Sequence, residues 1–410
     1  MQKKIIATAF CSLLLAAATV ASDTSGRLYG KITTKDGDTY QGLIRWDKNE
    51  ASWVDILDGT KVNEDAPSAS SASSRRKSTK IELFGIRIGD YESDGEASGS
   101  QCGIRMGNIR AIEPQGDDEA RLTLQSGQTL HISGGSTDIG SDVREIIIED
   151  QHEGETELAW EDLDKVEFLP ARSDLESEYG DRLYGTVTTR RGDQFTGYIA
   201  WDADEVLGND VLDGEAKDRA RKIKFDKIAA IERYSSSGAS VTLKAGENLV
   251  LRGSNDVDDD NRGIAVSDPG LGQVTVPWDQ FDRVEFKPSP RPIRYEQFDG
   301  GRPLHGTVYT EEGDKYTGTI RWDNDEQYTW EMLNGEYHDL TFEIEMGFIK
   351  TLEKQSSSGS LVTLADGRTF RLRGSNDVDE SNRGLFFTTA GGKTVEVDWS
   401  DFVKVEFSSK

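Results

Sequence analysis

Residues 182–205 read RLYGTVTTRRGDQFTGYIAWDADE, and the chain repeats this pattern twice more. Residues 27–50 read RLYGKITTKDGDTYQGLIRWDKNE, and residues 303–326 read PLHGTVYTEEGDKYTGTIRWDNDE. In the first of these, Val187, Phe195, Tyr198, Ile199 and Trp201 sit in short runs rich in Thr and aromatics, interrupted by Arg191-Gly192-Asp193. That pattern predicts a β-hairpin with a glycine turn. Gly37, Gly127, Gly246, Gly313 and Gly367 mark equivalent turns, where glycine supplies a positive φ without steric cost. No amphipathic helical window exceeds two turns, so the expected fold class is all-β.

Three closing segments match as well: LAWEDLDKVEF ending at Phe168, VPWDQFDRVEF at Phe286 and VDWSDFVKVEF at Phe407. The repeats therefore span 27–168, 182–286 and 303–407. Gly185 to Gly306 and Trp278 to Trp399 are both separated by 121 positions, whereas Gly30 to Gly185 is 155. Repeat 1 thus carries an insertion, expected at about 63–102, which includes the Ser-rich PSASSASSRRKST. Each repeat is itself double. Val187, Gly192 and Phe195 align with Val241, Gly246 and Leu249 at an offset of 54, and Ile228 and Ile231 align with Phe281 and Val284 at 53. The segments 169–181 and 287–302, with Pro170, Pro288, Pro290 and Pro292, read as semi-rigid linkers. Repeats strung like beads are the corresponding expectation.

The stretch from Val187 resembles the first signature of Sm-like small barrels, a motif shared in part with SH3-like barrels. The matching residues are Gly192, Phe195, Gly197 and Asp202, with Gly37, Tyr40, Gly42, Asp47 and Gly313, Tyr316, Gly318, Asp323 in the other repeats. The resemblance implies a strongly bent five-stranded sheet, so each repeat is expected to hold two small SH3/Sm-like half-units. The chain departs from the family where the second halves carry Leu251 and Arg371 in place of the second glycine. Arg262-Gly263 and Arg383-Gly384 are also misplaced for the family's second motif. Only the fold is carried over.

Lys3 and Lys4 precede an apolar run from Ile5 to Val20, then Ala21 and Ser22. This is the pattern of a secretory signal peptide over 1–22, and the run is short for a membrane span. Export to the periplasm or the exterior follows, with no transmembrane segment in the processed chain. The 75 acidic and 48 basic residues give a net charge of −27. Such a surface repels phosphate backbones and excludes nucleic acid as a partner. Past residue 22 the only cysteine is Cys102, so no internal disulfide is expected.

His131, His152, His305 and His338 occupy non-equivalent positions without ligand spacing. No nucleophile elbow, phosphate loop, zinc helix or dinucleotide fingerprint occurs, and a non-enzyme is expected. Two acidic loops offer a sharper motif: RGSNDVDDDNRG from Arg252 and RGSNDVDESNRG from Arg373. Asn255, Asp256, Asp258 and Asp260, with Asn376, Asp377 and Asp379, are hard oxygen donors at alternating spacing, which suits calcium. The competing reading is an Asx turn that only shapes the backbone. Repeat 1 keeps just Asp138 and Asp142 of this loop. Trp46, Trp201 and Trp322 recur, as do Trp160, Trp278 and Trp399, which suits a structural role; Trp53 and Trp330 are candidates for an exposed ligand platform. The function expected is an exported, non-catalytic binding or scaffolding protein for an envelope or extracellular protein or glycan. The alternatives are a calcium-stabilised surface or carbohydrate-binding module, and an exported enzyme with an unfamiliar site.

Overall fold

The structure is a computed structural model that describes residues 23–62, 82–83, 86–87, 99–134 and 136–408. The expected signal peptide lies outside the described residues, as does most of the Ser-rich insertion. The described residues form antiparallel strands joined by tight turns and short 3-10 segments, with no α-helix among them. None of the described helices is long and apolar enough to cross a membrane.

Repeat 2 has ten strands in chain order: Tyr184–Thr189, Gln194–Trp201, Val211–Ala216, Arg219–Lys224, Ile228–Ser235, Gly238–Leu243, Asn248–Leu251, Ile264–Asp268, Gly272–Val276 and Phe281–Phe286. Repeats 1 and 3 have equivalent strands in the same order, and the ordinals below apply to all three. The turn glycines adopt the left-handed backbone their position requires, with φ +90° at Gly192 and +89° at Gly246. The hairpin glycines Gly185 and Gly197 face each other. A Cβ on Gly185 would lie 2.3 Å from the Glu285 carbonyl oxygen, and one on Gly197 would lie 2.4 Å from that of Ser267. Both glycines are therefore required by the close approach of the neighbouring strands.

The two halves of a repeat are not separate sheets. The first strand pairs with the second and the tenth, and the second pairs with the eighth, which pairs with the ninth. The sixth strand pairs in the same way with the seventh and the fifth, and the third–fourth hairpin meets the seventh strand through the Glu215–Arg252 bridge. Each five-strand group thus takes its opening hairpin from one half and its last three strands from the other. The groups join where the fifth and tenth strands pair, with Ile231 opposite Val284. Because these two residues are equivalent in the half-repeats, a local dyad passes between them. Ile112 opposite Val166 and Leu352 opposite Val405 repeat the arrangement, and all six side chains are fully buried.

The insertion in repeat 1 maps to the tip of the third–fourth hairpin. In repeats 2 and 3 this tip is two residues of positive φ, Lys217-Asp218 and His338-Asp339. In repeat 1 the hairpin runs to the pair Val62–Gly99, and Cys102 lies within it opposite Gly59. The added segment is therefore 63–98 and does not extend to 102. Cys102 is a half-buried free thiol.

The beads-on-a-string expectation is corrected, because each repeat contacts the other two. The ninth strand of repeat 2 pairs with the fourth strand of repeat 3, Leu340–Glu345, from Gly272–Ile344 to Thr275–Thr341. Their apolar interiors merge, with Phe195 and Phe342 in edge-to-face contact at 5.8 Å. Repeat 1 meets repeat 2 through the buried pair Arg182–Asp55 at 2.9 Å and through Arg45–Asp210 at 2.8 Å. It meets repeat 3 through Lys61, 2.6 Å from Glu331 and 2.8 Å from Asp325. The proline-bearing linker also packs. Tyr295 enters the core of repeat 1, and its hydroxyl donates to the Ile109 carbonyl at 3.0 Å.

Candidate functional site

The second strand of each repeat ends in Trp-Asp-x-(Asn/Asp)-Glu, and this ending makes a tight loop. Trp201 and Glu205 exchange backbone hydrogen bonds of 2.9 and 3.0 Å, with φ +49° at Asp202 and +63° at Ala203. The left-handed region costs about 1–2 kcal/mol for most L-residues, and Asn and Asp are among the few that tolerate it. Asp47-Lys48 and Asp323-Asn324 adopt the same conformation.

This loop faces the acidic loop more than fifty residues downstream. The Trp201 indole N–H donates to the Asp256 carbonyl at 2.9 Å, and the Asp213 backbone N–H donates to Asp256 Oδ2 at 2.6 Å. Trp322 and the Asn334 backbone N–H hold Asp377 in the same way, at 2.9 and 2.6 Å. Trp46 and the Asp58 backbone N–H hold Asp138, at 2.9 and 2.7 Å. The first Asp of each cluster takes an arginine. The Arg262 backbone N–H donates to Asp202 Oδ1 at 2.6 Å and its guanidinium Nη2 to Oδ2 at 3.0 Å. Arg144 and Arg383 do the same for Asp47 and Asp323.

Two clusters of three carboxylates result, Asp202–Glu205–Asp256 and Asp323–Glu326–Asp377. In each, one oxygen from every member lies within 4.8 Å of the others. Burial pushes Glu205 up to about 10, reinforced by the Asp256 charge, and pushes Asp256 up to about 6. Burial, then the Asp377 charge, raises Glu326 well above the usual carboxylate range. Glu50 is raised likewise, by burial and then by Asp138. Glu50, Glu205 and Glu326 each keep one carboxylate oxygen, Oε2, buried without a hydrogen-bond partner.

The residues expected from the sequence separate into two groups. Asp256 and Asp377 enter the clusters, while Asn255 and Asn376 stand beside them as donors to Asp202 and Asp323. Asp258 and Asp260 do not converge on the clusters. Asp258 Oδ1 accepts the Asp260 backbone N–H at 3.1 Å, and Asp379 Oδ1 accepts that of Ser381 at 2.9 Å. These are Asx turns. The partners of Asp256 and Asp377 come from the second strand and not from the loop itself. Their signal was the Asp and Glu repeated after each Trp in the opening stretches. The aromatic platform is corrected. Trp53 is fully buried against Tyr295 at 4.5 Å and Phe168 at 6.0 Å. Trp330 is 1 % exposed, and its indole N–H donates to Gln128 at 3.3 Å across repeats. The recurrent tryptophans pack as buried edge-to-face pairs, Trp46–Trp160, Trp201–Trp278 and Trp322–Trp399, each at 6.2 Å. Compared with known proteins, the chain finds no match among family models, curated proteins or solved structures.

Proposed function

We propose that this is an exported, non-catalytic binding and scaffolding protein that admits an acidic, extended segment of an envelope or extracellular partner protein. Each five-strand group is read as a small SH3/Sm-like barrel, and the three interlocked repeats serve as a rigid support. The observation that carries the reading is the outer edge of the fourth strand. In repeat 3 this edge is covered by a strand of repeat 2. The equivalent strand in repeat 2, Arg219–Lys224, pairs only with its hairpin partner among the described residues. It exposes Arg219, Arg221, Lys222 and Lys224 on a chain of net charge −27. An open edge offers main-chain hydrogen bonds to an added strand. Cationic side chains on that edge discourage indiscriminate pairing, so the strand they favour is one of opposite charge.

The test is a photo-crosslinking residue in place of Ala220, used in the native envelope and secreted fractions. The expected result is one defined protein adduct, lost in the variant R221E/K222E and displaced by an alternating Glu-Val peptide. No adduct, or one indifferent to charge reversal, removes the reading. An adduct that is a second copy of this chain replaces it with self-assembly.

A further inference from the structure

We infer that the two carboxylate clusters each hold a hard divalent cation, Ca²⁺ by chemistry, independently of what docks on the repeat 2 edge. The strongest case is repeat 3. Asp323, Asp325, Glu326, Glu331 and Asp377 are all buried, and the cations paired with this group are Arg383 and Lys61. Five carboxylates against two cations leave an excess of three negative charges away from solvent. Uncompensated buried charge is expensive, so the cluster must take up either protons or a metal.

Two observations select the metal. The first is Glu326: only 7 % of the residue is exposed, and its Oε2 accepts no hydrogen bond. No N–H or O–H of the described residues therefore offsets the charge on this oxygen. Glu50 and Glu205 leave the same atom unpartnered in the other repeats. The second is spacing. Oxygens bound to one Ca²⁺ at about 2.4 Å are at most about 4.8 Å apart, and one oxygen from each of the three carboxylates meets that limit in both clusters. The donors are all oxygen, with no His or Cys, which excludes the softer transition metals as the preferred ion. Mg²⁺ is smaller, demands a stricter octahedron and gives up water reluctantly.

Repeat 1 is the built-in comparison. Its cluster has Thr137 in place of the asparagine, donating to Asp47 at 2.5 Å. Asn49 stands where the others have Asp204 and Asp325. Its buried Asp58 offsets that loss of charge, since repeat 3 has Asn334 there, but Asp47, Glu50 and Asp138 are not among the groups that meet the spacing. Two ions per chain follow, not three.

The experiment uses the full processed chain, stripped with a chelator and dialysed. Calcium is titrated calorimetrically, and Tb³⁺ is added separately as a luminescent probe excited through tryptophan. Trp201 and Trp322 bond directly to the backbone of Asp256 and Asp377, so the probe reports these two sites. The expected result is two Ca²⁺ per chain, sensitised Tb³⁺ emission that Ca²⁺ displaces, and a Tm increase that Mg²⁺ at equal concentration does not reproduce. Glu205→Gln and Glu326→Gln, which preserve shape, each remove one ion or weaken it at least tenfold, and the double variant abolishes the emission. No calcium uptake by the folded wild-type chain at millimolar concentration overturns the proposal. So does uptake unchanged in the double variant, which would place the ions on the acidic surface. Because the wild-type titration needs no substitution, a variant that fails to fold does not protect the proposal.

Discussion

Glu326 and Glu205 are acids that the fold holds in their neutral form unless a cation replaces the proton. Burial raises both, Glu205 from 4.5 to about 10. At a pH between the unfolded and folded values, the folded chain keeps a proton that the unfolded chain has lost. Stability then decreases with rising pH. This contribution is complete below the unfolded value and is lost as pH rises from about 4.5 towards 10. The chelated protein should therefore melt lower at pH 8 than at pH 5.5, and the difference should shrink in the double variant E205Q/E326Q. Calcium binding releases these protons, so added Ca²⁺ should raise Tm more at pH 8 than at pH 5.5. Thermal melts at the two pH values, with and without chelator, measure both effects. An equal pH slope in the double variant would mean that other groups set it.

At the scale of the element, the third–fourth hairpin shows what a repeat needs and what it tolerates. Two residues close it in repeats 2 and 3, and residues 63–98 close it in repeat 1. Replacing 63–98 with Asn-Gly, which adopts the same pair of positive φ values, should leave the fold intact. Each halving of loop length gains about 0.6 kcal/mol, so the shortened chain should be more stable by up to about 2.5 kcal/mol in a urea titration. Loss of folding would show that the segment packs. The turns themselves were legible in the sequence, because Gly192 and Gly246 sit where only a left-handed residue closes the hairpin. The duplication was legible too. What the sequence did not disclose was the partner of each strand: a period of 53–54 residues says that Val187 and Val241 are alike, not which half supplies the neighbouring strand. For the same reason Asp256 was read with Asp258 and Asp260, its neighbours in sequence, when its spatial neighbours are Asp202 and Glu205. Proline-bearing linkers read as spacers, because composition carries no trace of Tyr295 inserting into repeat 1.

For the whole molecule, contacts between every pair of repeats imply one cooperative unit. The apolar interiors of repeats 2 and 3 are continuous, and repeat 1 is tied to repeat 2 by a buried ion pair and to repeat 3 by a largely buried one. Calorimetry should show one unfolding transition for the full chain and not three. Arg182→Ala leaves Asp55 buried without its guanidinium, a loss of about 3–5 kcal/mol, and should lower that single transition without dividing it. Separate transitions for the repeats would show that the seams are weaker than the cores.

The dyad between Ile231 and Val284 bears on ancestry. A half-unit that lends its hairpin to a neighbour and receives the neighbour's hairpin in return is built like one protomer of a swapped homodimer, and each repeat has that arrangement on a single polypeptide. An ancestor half as long would already have had a complete partner in a second copy of itself. Fusing two such copies replaces an encounter between two molecules with one within a chain. The repeated unit is therefore smaller than the unit that completes its own sheets, and a repeat must be whole to its last strand before its first can settle.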